Sequence, residues 1–417
     1  NIQSYADQNN SKNILSYNFA LMNDIDASKV SDYEAIGSSN TEYTGTFDGR
    51  DHRIIGLEVK NDNAGIFGTI GNNGVVTNLR VYSSNFTGTT NAGAIAGVNN
   101  GRIENIITLG NEVTASRNAG GIVGINNSGT FDNNGILTNG IDNVESTGSV
   151  IAQDSAVVGG LVGTNSGGIN NSFSDSAVTV VSGANADHLG GAVGHNTGDV
   201  RLVDSLGVTN GGTSNNVGGI IGTNEGNMYS SYNESIVSGH DNVGGIIGTN
   251  SGTVNNIVKA TAVTGEDTNG TSTDTSEYVG GLIGANSVNV TNGRNNGTIT
   301  GTEYVGGMVG SNAADSTLVN LVNDSSADIT GKKYVGGIAG SNAGNITADE
   351  ENDNLINRGS ITGNQYVGGV AGENTATGKI TNTINSVVLN AIGQNAMYFG
   401  GVVGENSGII DGVTNTR

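Results

Sequence analysis

The chain has 417 residues, 70 of them Gly and none Pro, Cys or Trp, and a net charge of −22 from 38 acidic and 16 basic side chains. That charge excludes a nucleic-acid partner, which needs a basic footprint, and the lack of Cys excludes disulfides, thiolate metal sites and thiol nucleophiles. No Gly-X-Y period, no apolar run of about 18 residues and no helical period is present, which sets aside collagen, membrane insertion and an α fold.

The numbering opens at Asn1 without an initiator Met, so a processed protein or a fragment is expected. Residues 1–62 are read as leading β-coils. Residues 63–417 are read as a repeat β-helix continuous with them. One motif, close to G-G-[ILV]-[VI]-G-x-N, organises that second part. Degenerate copies Ala64-Gly65-Ile66-Phe67-Gly68 and Ala92-Gly93-Ala94-Ile95-Ala96-Gly97 lead it. Copies at residues 120–126 and 159–165 follow, and the second Gly returns at Gly191, Gly219, Gly245, Gly281, Gly307, Gly337, Gly369 and Gly401. The spacing is roughly 26 to 39 residues. After each motif Asn comes a turn, then a short β-type run such as residues 101–106 or 252–257, then a third run such as 262–265 or 360–363.

Three short strands in a unit of about 30 residues describe one coil of a parallel β-helix. The expected fold is all-β: a solenoid of about a dozen coils stacked at about 4.8 Å, right-handed by the preference of parallel crossovers. A propeller is excluded, because its repeats are longer and carry Trp signatures. Stacking would place the motif residues Asn99, Asn126, Asn165, Asn196, Asn224, Asn250, Asn286, Asn312, Asn342, Asn374 and Asn406 in one column. An amide both donates and accepts, so the column is read as a structural ladder, with a polar binding row as the alternative. A second column, Tyr278, Tyr304, Tyr334, Tyr366 and Tyr398, replaces the Asn118, His188, Asn216 and Asn242 of earlier copies. It is read as an aromatic ladder that is also a candidate exposed row for carbohydrate. Both parities of the motif strand are apolar. A straight strand would expose a Tyr/Leu stripe; a bend at Gly-Gly would turn both apolar residues inward.

The repeated G-G-[LI]-[VI]-G-x-N-x-G resembles the GLUG motif of bacterial surface proteins. The leading residues Leu21-Met22-Asn23-Asp24-Ile25-Asp26, then Tyr33-Glu34-Ala35-Ile36-Gly37, Tyr43-Thr44-Gly45-Thr46-Phe47-Asp48-Gly49 and His52-Arg53-Ile54-Ile55-Gly56-Leu57, are similar to the run that precedes such repeats. Ala35 and Asp51 depart from its usual Pro and Gly. The resemblance implies a β-helical scaffold of the kind found in large adhesins, in filamentous-haemagglutinin-like proteins, and outside the catalytic domain of immunoglobulin A-specific metallopeptidases.

Chemistry is sparse in the sequence. His52, His188, His195 and His240 form no H-E-x-x-H, and the Gly-rich copies lack a P-loop Lys. The serious catalytic option is a pair of carboxylates: Asp24 with Asp26, Asp48 with Asp51, or Asp349, Glu350, Glu351 and Asp353. No cofactor is expected beyond weak calcium at the last group. The expected function is non-enzymatic: a structural or adhesive segment of a large bacterial cell-surface or secreted protein. Its partner would be a surface protein or glycan of a host or neighbouring cell, or further copies of itself. A filament subunit, the non-catalytic region of an immunoglobulin-cleaving peptidase, and a polysaccharide hydrolase or lyase stand as alternatives. Insertions near 130–156, 266–277 and 347–358 are the first places expected to make contacts. The chain's C-terminal end, without a capping segment, is expected to abut more chain or another subunit.

Overall fold

The computed structural model describes residues 12–259, 261–265, 278–348, 355–391 and 396–416. The chain is an all-β parallel solenoid of about 13 turns. It divides into two compact units, Asn1–Val208 and Thr209–Arg417. The 62/63 boundary of the sequence reading lies within the first. The insertion at 266–277 and the carboxylates Asp349, Glu350, Glu351 and Asp353 fall outside the described residues.

A coil of the second unit shows the construction. It runs through strands Val243–Gly244, Ile247–Asn250, Thr253–Lys259 and Val263–Gly265. Each pairs in parallel with its counterpart one coil on: Val243 with Val279, Ile247 with Ile283, Val254 with Val290 and Val263 with Ile299. The motif run is thus two strands broken by a bend, and three glycines make it possible. A Cβ on the first would lie 1.8 Å from the Ile247 carbonyl oxygen in the case of Gly244, and 1.9 Å from that of Ile283 in the case of Gly280. The second leaves room for a side chain from across the coil: a Cβ on Gly307 would lie 2.7 Å from Asn323 Nδ2. The third packs on the backbone of the preceding coil, 2.4 Å from the Tyr278 carbonyl carbon for a Cβ on Gly310. No other residue type meets all three approaches.

The bend decides which residues make the core. Val279, Leu282 and Ile283 are all fully buried, as are Val305, Met308 and Val309 one coil on. Of the two readings of the motif strand, the bend at Gly-Gly is the one the chain adopts: the Leu side of the motif faces inward and only Tyr remains outside.

In the first unit the second and third runs of a coil often merge into one long strand, as in Arg102–Ala115, Gly140–Ala152 and Gly168–Val180. These far exceed the three to five residues expected. Within the second run of each, the strand turns a corner at Asn105, Asn143 and Asn171, whose φ are 55°, 51° and 44°, as the shorter Thr253–Lys259 does at Asn256 with φ 59°. Asn tolerates this left-handed region better than other non-Gly residues. At the N-terminal side Tyr43 and Phe67 are buried with ring centroids 5.0 Å apart, and Phe47 meets Phe67 edge-on at 5.4 Å.

The insertion near 130–156 is smaller than expected. Thr130–Phe131 and Leu137–Thr138 form an antiparallel hairpin, with the Arg201 guanidinium 3.9 Å from the Phe131 ring centre. Gly140–Ala152 is already a coil strand. On the last described coil Phe399 and Ile410 are exposed, whereas their counterparts Val367 and Ile380 are buried. Among the described residues no helix lies over that coil.

Candidate functional site

The motif Asn residues are interior. In the first unit Asn99 donates to Asn126 Oδ1, Asn126 to Asn165 and Asn165 to Asn196, each at 2.8 Å. In the second, Asn224, Asn250, Asn286, Asn312, Asn342 and Asn374 each donate to the next, at 2.8 to 3.1 Å, ending on Asn406. The second N–H turns to the following turn, as Asn165 does to Gly167 O at 3.0 Å and Asn342 to Gly344 O at 3.0 Å. Apart from the exposed Asn406 all are buried, so no ligand reaches them.

A second interior ladder went unread in the sequence. In the second unit Asn295 donates to Asn323, Asn323 to Asn357, Asn357 to Asn385 and Asn385 to Asn415, at 2.9 to 3.1 Å. In the first unit the same wall carries Thr108, Ser146, Ser174 and Ser205, paired in register and buried. These side chains occupy the space freed by the second motif glycine and bond its neighbourhood: Ser174 Oγ donates to Gly191 O and Asn357 to Gly369 O, both at 2.6 Å. The available signal was an Asn nine residues after the motif Asn, as in Asn224 and Asn233, Asn286 and Asn295, or Asn406 and Asn415. Nine residues after Asn250 the pattern breaks: the chain has Lys259 there, between Asn233 and Asn295 in register. Lys259 is fully buried, with its ammonium donating to Ser235 O and Thr261 Oγ1. Burial pushes its pKa down to about 7, against a weaker opposing pull from Glu234.

The Tyr column is a continuous stack on the outer face. Ring centroids of Tyr278, Tyr304, Tyr334, Tyr366 and Tyr398 are 5.2, 4.8, 4.7 and 4.7 Å apart in order. All five have φ between 48° and 63°, a region bulky residues seldom enter. The third motif glycine of the next coil, packed on the Tyr backbone, is what that geometry accommodates. The first four rings are half-buried and Tyr398 is exposed. Because stacked rings face one another, the row offers solvent their edges rather than the open faces on which a sugar ring packs. Burial raises the Tyr304 hydroxyl to about 12. Lys333 lies 4.5 Å from the Tyr334 ring centre and 3.4 Å from Glu303, and Ser341 donates to Glu373 at 2.9 Å.

The candidate carboxylates are separately engaged. Arg53 holds Asp24 through its backbone N–H at 2.9 Å and its guanidinium at 2.6 Å, bringing that carboxyl down to about 2. Asp26 is lowered by the Ser28 hydroxyl and N–H, and Asp48 by the Arg50 N–H and Asn78 amide. Asp51 pairs with Arg80 at 3.4 Å. A general acid needs a raised pKa, and Asp24, Asp26 and Asp48 move the other way. His188 and His195 stack at 5.1 Å, His52 lies 3.4 Å from Asp24, and His240 lies 3.1 Å from Asp241. Among the described residues no three His, Asp or Glu come together as a metal site.

No protein-family model matches the chain. Over 89 residues it is 35% identical to halomucin of Haloquadratum walsbyi, a stretch that makes up 20% of this chain and 1% of halomucin. Among solved structures it is similar to a protein provisionally named an immunoglobulin A1 protease, from Bacteroides ovatus. That likeness has 15% identity and a TM-score of 0.30, over 97% of this chain and 81% of the other. A score that low carries neither fold nor activity across.

Proposed function

We propose that the chain is a structural and adhesive β-helical segment of a large cell-surface or secreted protein, displaying its outer rows to a surface protein, a glycan or another copy of itself. The observation that supports this best is the division of labour across the coil wall. Neutral amide and hydroxyl ladders hold the coils from inside, where the motif glycines make room for them. The outer face is left to rows that repeat from coil to coil, such as the tyrosine stack. Repetition at a fixed spacing suits many weak contacts in series. The local likeness to halomucin fits a repeat segment carried within a far larger protein. The reading assigns no catalytic step, cofactor or metal to the chain.

The test is adherence. Beads coated with the purified chain are expected to be retained on cells or cell-wall material in a manner competed by free chain. Release of reducing ends or unsaturated products from neutral or acidic glycans would replace this reading with a polysaccharide hydrolase or lyase.

A further inference from the structure

The corner residues of the first unit also build a groove. Asn78, Asn105, Asn143 and Asn171 follow register pairs on consecutive coils, Thr77 with Glu104, Glu104 with Asp142 and Asp142 with Asn170. Their amides are linked outside the coil: Asn105 donates to Asn78 Oδ1 at 3.2 Å, Asn143 to Asn105 at 2.8 Å and Asn171 to Asn143 at 3.5 Å. They line a groove of about 490 Å³, with the half-buried Phe173 in its wall and the exposed carboxylates Asp51 and Glu145 at its margins.

The backbone explains part of this column but not all of it. The corner needs φ above zero, which Asn supplies. Yet the next coil makes the same corner with Leu202, at φ 53°, and Leu202 follows Arg201, the register partner of Asn170. Asn fills the equivalent corner of the second unit too, at Asn256, Asn292 and Asn320, so the corner accounts for the residue type, and what marks the first unit is that four successive corner amides line one groove. Each amide has two N–H groups and a carbonyl. In Asn105, Asn143 and Asn171 one N–H serves the column and in Asn78 one N–H serves Asp48 Oδ1 at 3.1 Å, so each coil keeps a second N–H and a carbonyl lone pair. That combination matches hydroxyl groups, which donate and accept at once. Coils repeat at about 4.8 Å, close to the length of one residue in an extended pyranose chain. Phe173 offers an apolar patch for sugar C–H groups. Asp51, Glu145 and the net charge of −22 repel a polyanion.

We propose that this groove binds an uncharged polysaccharide chain lying along the solenoid axis, with successive sugar residues hydrogen-bonded by Asn78, Asn105, Asn143 and Asn171. The proposal rests on the adhesive reading and names its ligand class. The test is calorimetric titration of the full chain with cellohexaose, chitohexaose and mannohexaose, with polygalacturonate as the anionic comparison. At least one neutral hexasaccharide is expected to bind. Asn105→Gly/Asn143→Gly, which keeps the corner open to positive φ, is expected to weaken it about tenfold or more, the scale of one or two hydrogen bonds to a ligand. The single Asn143→Gly, with an unchanged circular dichroism spectrum, guards against a folding defect. Absence of binding by all three neutral probes, equal binding by the glycine variants, or preference for polygalacturonate would overturn the groove assignment. Adherent beads with no saccharide binding sink the groove and leave the adhesive reading standing. Saccharide binding with product release sinks the adhesive reading and leaves the groove.

Discussion

Gly337 and Asn357 compete for one space: a Cβ on Gly337 would lie 2.0 Å from the amide nitrogen of Asn357. That nitrogen bonds Gly369 O at 2.6 Å, and Asn357 also links Asn323 to Asn385. The motif glycine and the second ladder are therefore one device, seen from two sides of the coil. Gly337→Ala is expected to cost roughly 2–3 kcal/mol, the upper range for overpacking, because neither the ladder amide nor the facing Gly369 carbonyl can retreat. Urea unfolding followed by circular dichroism measures it, and a midpoint equal to wild type would contradict the shared-space account.

The first ladder gives a graded expectation. Asn250→Ala removes a donor to Asn286 and an acceptor for Asn224 inside the coil. It is expected to cost roughly 1–3 kcal/mol, the desolvation penalty of buried polar groups left unpaired. Asn406→Ala removes an exposed amide and should cost clearly less. Equal losses at the two positions in thermal melts would show that burial is not what gives the ladder its weight.

Lys259 makes stability depend on pH. Burial lowers its pKa from 10.5 to about 7 on folding. Between those values the unfolded chain holds a proton that the folded chain has released, so stability rises with pH across this window. Below about 7 both states are charged and this contribution is flat. Lys259→Asn, which restores the amide of the neighbouring coils, is expected to abolish the slope and add roughly 2–4 kcal/mol at pH 7. Parallel stability profiles of the two proteins between pH 7 and 10 would refute this.

Leu202 is the weak point of the corner column. It is half exposed and sits at φ 53°, where a branched apolar side chain gains little and strains the backbone. Leu202→Asn should stabilise the chain by about 1 kcal/mol, the penalty of the left-handed conformation that Asn relieves in part. Denaturant melts that place the variant at or below wild type would show that Leu202 gains more from packing than its exposure indicates.

Much of this molecule was legible without coordinates. The regular return of Gly-Gly-aliphatic, the lack of a helical period and one Asn per repeat led to stacked parallel coils and an axial column of amides. Each rests on a single letter recurring at a matching place, which stacking turns directly into contact.

Three features were decided only by the folded chain. Alternation could not say which face of Val279-Gly280-Gly281-Leu282-Ile283 turns inward, because both parities are apolar; the bend buries both. The second ladder was hidden because its occupant changes from Ser174 and Ser205 to Asn295 and Asn323, and because its distance from the motif Asn grows from nine residues at Asn295 to fifteen at Asn357. The positive φ of Tyr304 and of Asn143 gave no local sign, since nothing in either residue's immediate sequence requires it. The physical reason is common to all three. A strand keeps its period of two only while φ stays in the β region, and each corner of a coil resets which side is inside. Where the resets fall depends on the backbone one coil away, so the sequence of one repeat determines the coil, and its neighbours in space determine the faces.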